Sequence, residues 1–456
     1  MLQAPERVLP TLNNDGTRRW IRPRRFSGRF ERARFAVAWG LMGLFIGLPF
    51  VRISGKPALL LDVMHRQFIL FGRTFLPTDG VLLMLLLLTT FIAIILATAL
   101  FGRVWCGWGC PQTVYMEFLF RPLERLIEGD HREQARLDRE GANFRRVLKF
   151  VVYLVVSAFV ANVFLAYFVG TDELERWVLH APTQHWTGFL VMAVTTGLVF
   201  FDFGYFREQM CTVVCPYARL QSVLLDKKSL IVAYDATRGE PRGKKGKTQG
   251  DCVDCGVCVQ ACPTGIDIRN GLQLECIGCT QCIDGCDGIM DKLGRRRGLI
   301  RYTSLDALET RKFSLRSLIR PRVIIYPVLL LALSTALVVA ASSRGDAEVS
   351  VLRGIGAPFV EQGDGVRNQL RVKIRNRSDR DEAYTLSLVD APDATLVAPE
   401  NPMHVAAGKQ ETTSLFVVAA RRSFTQGERH VRVRVVSSHG FQKVTRYELL
   451  GPKTGD

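Results

Sequence analysis

Residues 251–286 read DCVDCGVCVQACPTGIDIRNGLQLECIGCTQCIDGC. Cys252, Cys255, Cys258 and Cys262, followed by Pro263, spell C-x2-C-x2-C-x3-C-P, and Cys276, Cys279, Cys282 and Cys286 repeat the spacing. In the two-cluster bacterial ferredoxin run, three closely spaced thiolates hold one cubane and the fourth crosses to the other. The spacing therefore predicts one [4Fe-4S] cluster on Cys252, Cys255, Cys258 and Cys286, and a second on Cys276, Cys279, Cys282 and Cys262. Gly256, Gly265, Gly278 and Gly285 are small enough to let backbone N–H groups approach the sulfurs, where hydrogen bonds raise the reduction potential. Asp287 stands where the second run would carry proline, a departure expected to alter the turn more than the ligation. Zinc prefers two separated Cys pairs around one tetrahedral ion. A three-plus-one run present twice fits that poorly.

Outward from this stretch the chain turns apolar. Runs of about the 20 residues that cross a bilayer occur near 35–51, 80–101, 147–170, 186–206 and 323–341. The first follows the arm RRWIRPRRFSGRFERAR (18–34) without a small-residue cleavage pattern, so it is expected to stay as an anchor. A net charge of +17 could suggest nucleic acid, but the cations gather beside the spans: in the arm and in 121–149, 238–247 and 295–322. All four clusters fall on one side if the spans alternate, and positive residues stay cytoplasmic. That sets the N-terminus and the cysteine-rich segment inside and everything after 342 outside, with no nucleic-acid partner. All twelve cysteines lie between Cys106 and Cys286, on the reducing side, where thiols serve as ligands or redox groups and not as disulfides.

The other four cysteines form a second set. FGRVWCGWGCPQTVYMEF (101–118) and FREQMCTVVCPYARLQSV (206–223) each carry C-x3-C-P, five residues after a Phe that ends an apolar span. The two halves of the bundle thus read as parallel repeats of a two-span hairpin. Spacing of i, i+4 puts Cys106 and Cys110 on one helical face, and Cys211 and Cys215 on another. Their convergence at the membrane boundary would make a soft-metal or redox site. A single such Cys would read as a small buried hydrophobe; the duplication argues against that. Met116 and Met210 could add thioether ligands, although such Met residues more often fill space. Asp202, near the inner end of a span, reads as a proton or ion relay or as a snorkelling or Arg-paired carboxylate. The surrounding DFG is a chance match, lacking the other kinase motifs. His65, His180 and His185, with Met64, lie in outer loops and could meet a metal arriving from outside.

From about residue 348 the pattern changes to short alternating strands, EVSVLRG, NQLRVKIRN, AYTLSLVD, TTSLFVVAA, HVRVRVVS and KVTRYELL, separated by turn-forming stretches such as APDATLVAPENP. Roughly seven strands suggest an immunoglobulin-like sandwich with no Cys pair. The expected fold is mixed: a five-span α-helical membrane bundle, a cytoplasmic ferredoxin-like insert with two [4Fe-4S] clusters, and a C-terminal all-β immunoglobulin-like sandwich. Its expected segments are a basic arm (1–34), spans one to four (35–206), the ferredoxin-like domain (207–322), the fifth span (323–341) and a periplasmic domain (342–456).

With both C-x3-C-P pairs, the double ferredoxin run, five spans and a terminal sandwich, the chain resembles the CcoG/FixG/Rdx family of cytochrome c oxidase accessory proteins over nearly its whole length. The most specific stretches are WCGWGCPQTVYMEF, CTVVCPYARLQS and the eight-Cys segment. The resemblance implies a bacterial inner-membrane protein that reduces Cu(II) to Cu(I) for copper delivery to a cbb3-type haem–copper oxidase. It implies oxidase-assembly and copper-handling partners and admits a homodimer. No flavin or dinucleotide fingerprint is present, so electrons must come from another molecule, expected to be cytoplasmic. The membrane part also resembles NapH/MauN-type quinol dehydrogenases, in which the C-x3-C-P pairs and Asp202 would line a quinol site. A third reading is a non-catalytic assembly scaffold.

Overall fold

The computed structural model describes residues 11–13, 15, 17–53, 55–64, 67–75, 80–141, 143–243, 250–310, 321–343, 345–378 and 380–452. Among the described residues, five helices are long and apolar enough to cross a membrane: Arg29–Phe50, Gly80–Phe101, Phe144–Val169, Trp186–Phe206 and Val323–Ser342. The chain divides into two compact units, Met1–Leu337 and Val338–Asp456.

Within the first unit the third span is the central one. About 44% of its most apolar window is buried, against 6% for the second span, whose leucines face outward where lipid would be. Tyr153 and Tyr167 on this helix donate to the carbonyls of Phe120 (2.9 Å) and Phe45 (2.6 Å), so the buried hydroxyls are satisfied. Phe120 stacks on Phe203 with ring centroids 4.4 Å apart, joining the segment after the second span to the end of the fourth. The segment between spans one and two, expected as a loop, contains five short strands. Leu59–Asp62, Gln67–Leu70 and Arg73–Phe75 form an antiparallel sheet. His65 lies outside the described residues. The rings of His180 and His185 are 6.0 Å apart, and His180 Nδ1 lies 2.9 Å from the carbonyl of Arg176.

The cysteine-rich region closes on an antiparallel pair, Ile231–Tyr234 with Ile300–Thr303, and packs Ile266, Ile268, Ile283, Met290 and Leu299 beneath it. Its helix Gln281–Lys292 fastens the first span. Asp284 accepts from the backbone N–H groups of Glu31 (2.7 Å) and Phe30 (3.3 Å), capping that span's N-terminus from another element. Asp287 does not mark a turn. The helix runs through it, and its carboxylate accepts from the Gly298 N–H at 2.9 Å. A proline there would have broken the helix.

The second unit is a two-sheet sandwich. Gly365–Asn376 pairs with Gln410–Ala420 and Ala347–Arg353 in one sheet; Glu382–Val389 pairs with Glu428–Ser437, which pairs with Gln442–Leu450, in the other. Alternate residues point inward, and Val366, Leu370, Val372 and Ile374 meet Leu386, Val431, Val433 and Val435 in an apolar core. Three short strands, Val360–Gln362, Ala394–Val397 and Met403–Val405, add to the six quoted from sequence. Ala394–Val397 lies inside the stretch expected to be a turn.

Candidate iron–sulfur and membrane-edge thiol site

The eight cysteines of the central stretch gather as two sets of four. One cavity is lined by Cys252, Cys255, Cys258 and Cys286, with Met290, Leu299 and Ile300 closing it. A second is lined by Cys262, Cys276, Cys279 and Cys282, with Ile266 and Ile268; Cys258 borders both. Cys286 thus lies with the thiols of the first run, and Cys262 with those of the second. Backbone conformation repeats with it: Asp254 and Gly278, each preceding the second Cys of its run, have φ of 51° and 67°, and Gly256 and Thr280, each following it, have φ of 68° and 63°. Left-handed backbone at the non-glycine residues Asp254 and Thr280 is strained. Gly285 serves differently: it is helical, and a Cβ there would meet Val257 at 2.9 Å.

These cavities suit a multi-iron group. Burial pushes the thiols of Cys258 and Cys276 up to about 11 and those of Cys279 and Cys286 up to about 12, so ionising them together requires a bound cation. Beside Cys279 sits Arg34, 1% exposed, whose Nη1 and Nη2 have no protein partner while its Nε donates to the Gly107 carbonyl at 2.9 Å. An orphaned buried cation beside the thiols fits an anionic cluster there.

The four remaining thiols converge as well. Cys211 lies close enough to Cys106, Cys110 and Cys215 for their charges to repel, and burial raises Cys106 to about 11 and Cys211 further. The route to this convergence corrects the helical-face expectation. Cys106 belongs to a short helix, Val104–Trp108, whereas Cys110 is extended (φ −65°, ψ 126°); Cys211 belongs to a π-helical turn, Met210–Val214, and Cys215 is extended (φ −62°, ψ 112°). The proline after each second Cys disfavours the helical conformation at the residue before it. Pro111 and Pro216 then start new helices. The near-identical break in both halves is the repeat read from sequence.

The two thiol systems touch through backbone. A Cβ on Gly107 would lie 2.7 Å from the Gly278 carbonyl oxygen and 2.8 Å from that of Ile277. Only glycine allows the Cys106 loop to lie so close to the Cys276–Cys279 loop. Arg103, 8% exposed, donates to the carbonyls of Cys276 (3.0 Å) and Ala218 (3.3 Å), tying both C-x3-C-P segments to that loop. Trp108 Nε1 donates to the Tyr302 hydroxyl, which donates to the Gly278 carbonyl, each at 3.1 Å.

Comparison with known proteins agrees with this layout. A family model described as a 4Fe-4S dicluster domain matches residues 206–305, one described as a 4Fe-4S binding domain matches 83–128, and one described as an IG-like fold at the C-terminal of FixG matches 337–452. Protein RdxA of Cereibacter sphaeroides is 37% identical over 81% of this chain and 82% of its own. Nitrogen fixation protein FixG of Rhizobium meliloti is 35% identical over 83% and 81%, and Protein RdxB of Cereibacter sphaeroides 34% identical over 88% of each. This chain belongs to the FixG/Rdx family. It is an iron–sulfur electron-transfer protein, with five membrane-length apolar helices among the described residues. Both C-x3-C-P pairs fall within stretches that match iron–sulfur family models.

Other family-member residues were hidden in the sequence. Arg34 lies in the basic arm and Arg103 in no cation cluster of the sequence, and only tertiary packing reveals their approach to the cysteine loops. Asp202 is paired with neither Arg nor Lys in the bonds seen: Gln112 Nε2 donates to it at 3.1 Å and to the Arg207 carbonyl at 3.1 Å. Met116 is buried in the apolar core beside Tyr115 and Phe118. The basic arm is partly spent on buried acids. Glu124, 2% exposed, receives both Nη groups of Arg207 (3.1 and 2.9 Å), Arg22 (2.5 Å) and Lys149 (3.3 Å). Burial alone would raise the Glu124 pKa, but Arg207, Arg22 and Lys149 outweigh it and hold the carboxyl well below its usual range.

Proposed function

We propose that this FixG/Rdx protein reduces Cu(II) to Cu(I) at the membrane edge and supplies the reduced ion to assembly of a cbb3-type oxidase. When bound, the two clusters supply single electrons, and the copper change consumes one electron per ion. Cys252, Cys255, Cys258 and Cys286 hold one cluster; Cys276, Cys279, Cys282 and Cys262 hold the other. Copper is the substrate and meets Cys106, Cys110, Cys211 and Cys215. Thiolates favour Cu(I) over Cu(II), so the same thiols that grip the ion favour its reduction.

The observation that carries this reading is the glycine-to-glycine contact of the Cys106 loop with the Cys276–Cys279 loop. It gives electrons a short way from the buried cluster to the membrane-edge thiols. In this reading the cysteine-rich region is cytoplasmic, the sandwich is periplasmic and docks oxidase-assembly or copper-handling proteins, and the N-terminus is inside.

The test uses anaerobic full-length protein reduced with one equivalent of dithionite per cluster. Adding Cu(II) should restore the visible absorbance of the oxidised clusters and produce the colour of a Cu(I) chelate. Combining Cys106→Ser with Cys211→Ser should stop both signals while leaving the cluster absorbance. Clusters that stay reduced in the presence of Cu(II) would sink the proposal.

A further inference from the structure

A cavity of about 130 Å³ lies where the basic arm enters the first span. Four separate stretches wall it: the arm, the span, the segment after the first C-x3-C-P, and the ferredoxin-like region beside Cys262. The arm is fixed there by the Arg24 N–H, which donates to the Gln260 carbonyl at 2.8 Å. The charges of the wall do not cancel. Three arginines, Arg24, Arg25 and Arg125, stand against two glutamates, Glu31 and Glu117. Both carboxylates are already engaged: Glu31 accepts from Arg25 Nε at 2.8 Å, and Glu117 accepts from the buried Arg121, which is not part of the wall.

Arg24 and Arg125 are left over. Among the described residues neither guanidinium has a hydrogen-bond or ion-pair partner; that of Arg24 lies 5.0 Å from the Phe26 ring. Arg125 is half-buried, so it has lost part of its water without gaining a carboxylate. Burial above all, with repulsion from Arg121 and Arg25, lowers its pKa against the pull of Glu117. An anion in the cavity would answer both guanidiniums, and phosphate oxygens match their forked donors. The apolar wall specifies what carries the phosphate. Phe35 and Trp39, one turn apart on one face of the span, are 45% and 50% exposed, with ring centroids 6.0 Å apart. Trp39 lies eight residues beyond Glu31, about 12 Å farther along the helix. A ligand that fills both ends has a negative head and an apolar tail. Free phosphate would leave the rings uncovered, and a zwitterionic head would bring an ammonium group to carboxylates already taken.

We infer that this cavity holds the phosphodiester head group of an anionic membrane lipid of the phosphatidylglycerol kind, with an acyl chain along Phe35 and Trp39. The phosphate neutralises Arg24 and Arg125 and fastens the arm to the segment that follows the first C-x3-C-P. Trp39 sits at the level where head group gives way to chain, the usual place for an interfacial tryptophan. Neither cluster nor copper takes part in this binding.

The experiment uses full-length protein in dodecyl maltoside, freed of lipid, with binding read by native mass spectrometry. Phosphatidylglycerol should bind about tenfold more tightly than phosphatidylethanolamine with the same chains, and inorganic phosphate should not displace it. Arg24→Gln and Arg125→Gln should each weaken phosphatidylglycerol binding by about tenfold, the scale of one lost charge-assisted hydrogen bond. Arg136→Gln, at a cation 79% exposed in the same basic loop, should leave it unchanged. Arg24 is exposed, so its variant tests the site even if Arg125→Gln fails to fold. Independently, phosphatidylglycerol with a diazirine on one acyl chain should label the peptide containing Phe35 and Trp39. Equal affinity for the two lipids, wild-type affinity in Arg24→Gln, or an equal loss in Arg136→Gln would overturn the inference, the last by showing a diffuse field in place of a site. Displacement by inorganic phosphate would overturn it too, because the cavity would then take a free anion and not a lipid.

Discussion

The crossed ligand sets make a quantitative prediction about paired substitutions. Cys286 lies in the second run by sequence, but its thiol neighbours are Cys258, Cys255 and Cys252; those of Cys282 are chiefly Cys279, Cys276 and Cys262. Both sit on the helix Gln281–Lys292 at i, i+4, which sets their Cβ atoms about 6 Å apart and lets them reach different cavities. A two-cluster protein carries about eight irons, about four per cubane. Cys286→Ala should therefore lose about four irons, and combining it with Cys252→Ala should lose no more, because both changes strike one cluster. Combining Cys286→Ala with Cys276→Ala should lose about all eight, despite both lying in the same run. Iron and acid-labile sulfide analysis of anaerobically purified protein reads the counts, and electron paramagnetic resonance of the reduced protein reads whether one or two paramagnets remain. If the Cys286–Cys276 pair kept half the iron while the Cys286–Cys252 pair kept none, each run would hold its own cluster and the crossed assignment would be wrong.

Two further outcomes test the surroundings. Glu124→Gln removes the anion that Arg207, Arg22 and Lys149 share and should destabilise the protein by about 3–5 kcal/mol, the usual cost of leaving buried charges unmatched; an unchanged Tm in nanodiscs would refute the network's role. Because the folded-state pKa of Glu124 is depressed, its stabilisation is full above the ordinary Glu range and is lost as pH falls through the folded value, so wild-type Tm should fall at acid pH more steeply than that of the Gln variant. Arg34→Met removes a buried positive charge beside Cys279 and should move the midpoint of that cluster to a more negative potential, read by redox titration, with iron content unchanged. Equal midpoints would show that Arg34 serves only to hold Gly107.

What the sequence disclosed and what it hid follow from the range of the forces involved. Spans are legible because about 20 apolar residues need no partner to be recognised, and the crossed clusters because thiolate spacing is a local constraint. The C-x3-C-P pairs were half legible. Spacing suggested a shared helical face, but a proline governs its predecessor more strongly than the helix ahead of it, so Cys110 and Cys215 leave the helix and reach the other thiols from extended backbone. The strand Ala394–Val397 was masked by flanking turn formers and takes shape through pairing with Val417 and its neighbours, a contact distant in sequence. The arginines were the hardest to read. A run such as 18–34 looks like one surface charge patch, yet Arg22 ends on the buried Glu124, Arg34 beside a cysteine of the cluster loop, and Arg25 on the buried Glu31. One segment thus does the work of membrane anchor, structural counter-ion and redox surroundings together, and composition averages those roles into a single number. Separating them requires knowing which acid, carbonyl or thiol each guanidinium meets, and that is a property of the folded chain alone.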